Sequence, residues 1–279
     1  VAALLCLCVC GGEQEPPIEP PAALSAERKE QIRRFWTAYR QATDLRVRGA
    51  WQEAIPAYQE ALALDPRHED SLYYLGNAFF ETGRYEEAIA AWEHLAAVNP
   101  HSSRAHLQLG AIHSCGAEGA PFDLERAQGE IRKALEINKE ESGPLLKLGE
   151  VLLLKGDLEQ AQKYLSAAGR ANAMAARYLL GYLHWKRGEP DKALELLQQA
   201  AELSRTAPRP ASASSEGDTK GGKGPLLAAG AARQSFFAPY LEGLVEKSFT
   251  TPPQAEEEYR RLDEKLRENV RSLTGSTTG

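Results

Sequence analysis

"DSLYYLGNAFFETGRYEEAIAAWEHLAAVNPH", residues Asp70–His101, decides how the chain is read. Leu72, Leu75, Gly76 and Phe79 recur at i, i+3, i+4 and i+7, which places them on one face of an α-helix. A second stripe follows at Tyr85, Ala88, Trp92 and Leu95. Gly83 supplies a turn between the two. Pro100 ends the second helix, because proline has no amide hydrogen and its ring clashes with the preceding turn. The stretch therefore reads as a helical hairpin, with Gly76 and Ala88 small enough to let its helices approach closely.

The same pattern extends in both directions. Small residues recur at Ala42, Gly76, Gly110, Gly149 and Gly181, spaced 34, 34, 39 and 32. A second series, Ala54, Ala88, Ala127, Ala161 and Ala193, is spaced 34, 39, 34 and 32. A period near 34 signals stacked helical hairpins. Gly49, Gly83, Gly156 and Gly188 mark the turns inside hairpins. Pro66 and Pro100 end the first two repeats, and Lys139 stands there in the third. The third repeat carries extra residues in its turn, "SCGAEGAPFD" (114–123), and the fourth is shortened near "GRANA" (169–173). Asp157 followed by Gln160 fits an N-cap with its capping-box partner.

These residues resemble the tetratricopeptide repeat (TPR) family. Ala61, Ala134, Ala168 and Ala200 keep a further small position of that family, and Leu95 departs from it. The resemblance implies an all-α fold: a right-handed superhelical solenoid of about five helix-turn-helix repeats, followed by C-terminal helices. The repeats fall at about 35–68, 69–102, 103–141, 142–173 and 174–207, inside an array over 25–207. The family binds protein segments on the concave wall lined by the first helix of each repeat. Its inner positions map onto Trp36, Tyr39, Thr43 and Arg46 in the first repeat, and onto Asp70, Tyr73, Asn77 and Phe80 in the second. In the fifth they map onto Ala175, Tyr178, Tyr182 and Trp185. The partner-binding candidates are accordingly Trp36, Tyr39, Tyr73, Asn77, Phe80, Tyr178, Tyr182 and Trp185. Aromatics at such positions offer large contact area with few rotors to freeze. Tyr39 and Tyr73 equally suit packing between neighbouring helices; Tyr178, Tyr182 and Trp185 suit it less, and a cap helix following the last repeat would make those three its docking surface. One TPR subclass grips chaperone C-terminal carboxylates. Asn77 and Lys147 match that clamp, whereas Tyr73, Gln108 and Gly143 do not, so the implied partner is instead an extended or helical segment held by apolar and aromatic contacts.

Outside the array, residues 25–34 read as a polar backward extension of the first helix. Residues 208–225, rich in Ser, Gly, Pro and Ala, read as a flexible linker. In the C-terminal helical segment, 226–279, one or two short helices break near Pro239. A clear helix follows, with Tyr259, Leu262, Leu266, Val270 and Leu273 as an apolar stripe and i,i+4 pairs such as Asp263 with Arg267. That helix reads as a cap on the last repeat, with a coiled-coil contact to another chain as the alternative.

The first ten residues, "VAALLCLCVC", are apolar and end on the third of three closely spaced cysteines. The C-x-C-x-C spacing lacks a fourth ligand and does not suit zinc. The run is similar to a bacterial lipoprotein signal, with Leu7 at the leucine position and Cys10 as the lipidated residue, followed by a Pro-rich spacer over 11–24. Val9 departs from the small residue usual before the cysteine, and the basic leader region is absent. A chain opening on Val1, with Met174 as its one methionine, reads as an alternative start or a missing beginning. The expected location is the bacterial cell envelope, lipid-anchored on the periplasmic side; the alternative is a soluble adaptor, secreted or cytoplasmic.

The bulk properties fit a non-catalytic scaffold. The net charge is -6, with 33 basic and 39 acidic residues and no basic stretch, which argues against a nucleic-acid partner. There is no P-loop, GxGxxG, HExxH or GxSxG motif. His106 and His113 share a helix face without a third ligand, and Cys115, two residues after His113 in the third turn, reads as an incidental thiol. The sequence therefore gives no reason to expect an enzyme, a cofactor, a metal or a small-molecule substrate.

Overall fold

The computed structural model describes residues 25–169, 173–206, 235–237, 240–241 and 243–275. The lipoprotein-like run with Cys10, the Pro-rich spacer, the 208–225 linker and the break at Pro239 lie outside them. Among the described residues eleven α-helices are defined, with one 3-10 turn and no strand.

Ten helices pair as five hairpins: α1 (Ala26–Val47) with α2 (Trp51–Leu64), α3 (Glu69–Glu81) with α4 (Tyr85–Val98), and α5 (Ser103–His113) with α6 (Leu124–Ile137). The last two are α7 (Ser142–Lys155) with α8 (Leu158–Ala168), and α9 (Ala173–Lys186) with α10 (Pro190–Thr206). Each helix packs chiefly on its neighbours in the chain, and α7 also touches α5 and α9. The odd-numbered helices thus form the inner layer of a TPR-type superhelix and the even-numbered ones the outer layer.

Side-chain size sets the spacing inside each hairpin. A Cβ on Gly76 would sit 2.3 Å from Nε1 of Trp92, so this crossing requires glycine. Trp92 is fully buried and donates its indole N–H to the Tyr73 carbonyl at 3.3 Å. Burying an aromatic of this size contributes about 3 kcal/mol, provided its polar atom is satisfied. Gly83, at φ +76°, makes the left-handed turn from α3 to α4 that other residues rarely adopt.

The helix starts follow local chemistry. Ser25 caps α1 by accepting from the Arg28 amide at 3.2 Å. Asp157 accepts from the Gln160 amide at 3.1 Å, and Asp123 accepts from the Glu125 and Arg126 amides at 3.0 Å. The Asp123 cap restarts regular structure after the long third turn. Gly110 and Ala127 lie 17 residues apart, against 12 for Gly76–Ala88, Gly149–Ala161 and Gly181–Ala193.

The eleventh helix, α11 (Pro252–Gly275; a 3-10 turn at Gly243–Glu246 comes before it), packs on α10 and α9. Its stripe of Ala255, Tyr259, Leu262 and Leu266 is buried there. Glu256, Glu257, Arg260 and Arg261 face solvent, so the array ends on a polar surface, as a solenoid end must. No helix among the described residues is long and apolar enough to cross a membrane.

Candidate functional site

The inner wall divides into an open N-terminal part and a covered C-terminal part. On α1, helical spacing brings Trp36, Tyr39, Thr43 and Arg46 to one side. Trp36 is 46% exposed, which is unusual for an indole. Its ring meets Tyr39 edge-on at 5.9 Å and Phe35 at 5.1 Å. His68 wedges between Phe35 and Tyr39, with ring centroids 4.7 and 4.9 Å away. Its Nδ1 accepts from the Ser71 amide at 3.2 Å, which caps α3 and fixes the imidazole plane. The exposed indole therefore stands on a rigid aromatic base.

Beside this base lies a set of polar atoms without hydrogen-bond partners. Thr43 Oγ1, Arg46 Nε, the Tyr58 hydroxyl, Asn77 Oδ1 and Gln108 Oε1 are all shielded from solvent and unpaired within the chain. The Arg46 guanidinium stacks over Tyr74 at 4.1 Å. Burial pushes the Tyr58 hydroxyl above its ordinary pKa, opposed by Thr43 and Arg46 beside it. An unpaired buried polar group costs about 1–3 kcal/mol, and Thr43 and Arg46 beside the Tyr58 hydroxyl leave these shielded atoms in one another's company rather than on the open wall. Asn77 on α3 and Thr43 on α1 hold equivalent inner positions of adjacent repeats. The sequence places Thr43, Arg46 and Asn77 at inner positions but does not show their pairing, because whether a side chain is paired depends on neighbours distant in sequence.

Two other candidates on this wall are packing residues. Tyr73 is 8% exposed; its hydroxyl accepts from Gln108 at 3.1 Å, and Arg104 lies over its ring while pairing with Asp70 at 2.9 Å. Phe80 is buried against Tyr85 and Trp92. Their positions require correction: both join hairpins rather than face the groove. Tyr39 is half-buried against Phe35, Tyr58 and His68.

In the fifth repeat Tyr178 and Tyr182 require the same correction. Tyr178 is fully buried and Tyr182 nearly so, because α11 and the segment before it cover α9. The Tyr178 hydroxyl donates to Glu258 at 3.3 Å, and the Tyr259 hydroxyl donates to the Tyr178 carbonyl at 3.2 Å. The Tyr182 hydroxyl donates to Asp263 at 2.6 Å. Lys186 and Arg267 reach the same carboxylate at 2.9 and 2.8 Å. Burial pushes Asp263 upward, but these three partners outweigh it and hold the carboxyl below its ordinary range. Burial drives both Tyr178 and Tyr182 far above the ordinary phenol range. Trp185 stacks on Tyr182 at 5.9 Å and remains half-buried.

Residues with catalytic potential are buried or held in ion pairs, and both ring nitrogens of His113 are shielded from solvent without a hydrogen-bond partner. Cys115 is fully buried, and burial raises its thiol pKa, which disfavours the thiolate a nucleophile needs. His106 pairs with Glu130 at 2.8 Å. Burial and the neighbouring Arg126 push His113 below its ordinary pKa. Lys147, one of the two clamp-like residues, forms a buried ion pair with Glu150 at 2.9 Å. No group of three His, Cys, Asp or Glu among the described residues is placed to hold a metal ion.

A tetratricopeptide repeat family model matches residues 39–102 and 146–208 of the chain. Among curated proteins it is similar to the BBSome complex member BBS4 of Bos taurus, 29% identical over 182 residues. That match covers 63% of this chain and 34% of BBS4. It is also similar to the tetratricopeptide repeat and J domain-containing co-chaperone DNJ1 of Cryptococcus neoformans, 32% identical over 113 residues, covering 39% of this chain and 21% of DNJ1. The chain thus spans about a third or less of these curated relatives. Among solved structures, MamA from Desulfovibrio magneticus RS-1 superposes with a TM-score of 0.52 at 16% identity, covering 66% of this chain and 98% of that one. Yeast Tom70 superposes with a TM-score of 0.51 at 15% identity, covering 67% of this chain and 41% of that one. At these identities the likeness is one of fold.

Proposed function

We propose that the protein is a non-catalytic scaffold that holds an extended or helical segment of a protein partner on the inner wall of its first two hairpins. The observation that carries this reading is the exposed Trp36, seated on a rigid aromatic base of Phe35, Tyr39 and His68 at an inner position of α1. The indole supplies apolar contact area of the kind that anchors a peptide segment. BBS4 is by name a member of a complex, which supports a place within a multi-protein assembly.

The test is selection of peptides from a phage-displayed library against the immobilised full chain, followed by affinity measurement. Trp36→Ala combined with Asn77→Ala is expected to weaken the recovered peptides about tenfold or more, the effect of losing one anchor, with an unchanged thermal melt. Unaltered affinity would place binding elsewhere.

Anchoring of the chain by a lipid on Cys10, at the bacterial cell envelope, is proposed on Leu7–Cys10 alone. The second reading is a soluble or secreted adaptor without an anchor. The mass of the N-terminal peptide after expression with a complete leader decides between them: a diacylglycerol adduct on Cys10 supports the anchor, and an unmodified cysteine removes it.

A further inference from the structure

The long turn of the third hairpin does more than join α5 to α6. Gly116 and Phe122, both within it, receive the ring of Phe236, a residue more than a hundred positions later. Phe236 meets Phe122 edge-on at 5.7 Å, and a Cβ on Gly116 would lie 2.6 Å from the Phe236 ring. The next residue, Phe237, is fully buried in the core cluster of the fourth and fifth hairpins. Ser235 completes the contact. Its hydroxyl donates to Glu150 Oε1 at 2.9 Å and accepts from the Phe237 amide at 3.1 Å. The other Glu150 oxygen is held by Lys147, so the carboxylate is fixed for this bond. Glu150 lies on α7, 73 residues after Asn77 and one residue after the small position Gly149, as Asn77 follows Gly76 on α3.

We propose that Ser235–Phe237 is an internal ligand, and that the receptacle formed by Gly116, Phe122 and Glu150 is a second peptide-binding site. Its partner is a protein segment of the same chemistry: a hydroxyl side chain followed directly by two aromatics. The hydroxyl reads Glu150, the first aromatic fills the space that glycine leaves at position 116, and the second enters the apolar core. The extra residues of the third turn are what build the first aromatic's place. The cap also has its own bonds to α9, through Tyr259, Glu258 and Asp263. Twenty-eight residues, 207–234, lie between the end of α10 and Ser235. The site is independent of the Trp36–Asn77 surface, and either can fail without the other.

The experiment uses a fluorescently labelled peptide of residues 233–241, "RQSFFAPYL", and fluorescence anisotropy with the full chain. Phe236→Ala/Phe237→Ala removes the internal competitor, so this variant binds the peptide at least tenfold more tightly than the unmodified chain. Adding Gly116→Leu to that variant fills the receptacle and abolishes the gain. A peptide with both phenylalanines changed to alanine does not bind. Equal affinity of the variant and the unmodified chain, no binding by either, or equal binding of the alanine peptide would each overturn the proposal. If the double variant does not fold, Phe236→Ala alone empties the Gly116–Phe122 contact. It is expected to bind the peptide more tightly than the unmodified chain, and equal affinity overturns the proposal in the same way.

Discussion

Tyr259→Ala is expected to destabilise the C-terminal end of the array by about 3–5 kcal/mol, the range for emptying the space of a buried aromatic. Tyr259 is fully buried, and its hydroxyl end comes so near Gly181 that a Cβ there would lie 2.1 Å from it. The ring also meets Tyr178 and Tyr182 at 5.5 and 6.1 Å. Loss of the ring leaves a cavity among three aromatics and takes away the hydroxyl that bonds the Tyr178 carbonyl. Tyr259→Phe keeps the ring and is expected to cost about 1 kcal/mol, the net value of one hydrogen bond. Repeat arrays unfold from their ends when a cap is lost, so hydrogen exchange resolved by helix is the suitable readout. The alanine variant should exchange faster in α9, α10 and α11 while α3 and α4 keep their protection. Uniform loss across all helices would mean that the array is a single cooperative unit.

Gly110→Leu is expected to be the most disruptive substitution in the middle of the array. A Cβ at this position would lie 2.4 Å from Ile131 Cγ1 and 3.0 Å from the Ala127 carbonyl oxygen. The first neighbour is a β-branched side chain with little freedom, and the second is helix backbone. The third hairpin must therefore open to admit leucine. We expect a loss of about 3 kcal/mol or more, the upper end of overpacking effects, read as a lowered denaturant midpoint. An unchanged midpoint would show that α5 and α6 do not cross at Gly110.

The fold was legible because its determinants repeat. Gly76 and Trp92 meet across one hairpin as Gly149 and Leu165 meet across another, and the recurrence of small residues with a period near 34 carries that geometry in the residues themselves. The destination of the inner aromatics was not legible. Tyr178 at an inner position looks the same in sequence whether it faces a peptide or lies beneath α11. The apolar stripe of α11 showed only that some surface would receive it. Ser235–Phe237 escaped notice because two adjacent phenylalanines carry no periodicity. The one hint was the irregular third turn, which is longer than the other hairpin turns. The unpaired atoms of Thr43, Arg46 and Asn77 left no trace in sequence, since pairing is decided by the stacking of α1 and α3.

The central claim is that the open inner wall of the first two hairpins receives a peptide. The most direct measurement is hydrogen exchange of the full chain with and without a selected peptide, resolved to single helices. The account predicts slower exchange in α1 and α3, with α2 and α4 unchanged. Protection confined to the outer helices, or none on α1 and α3, would contradict it.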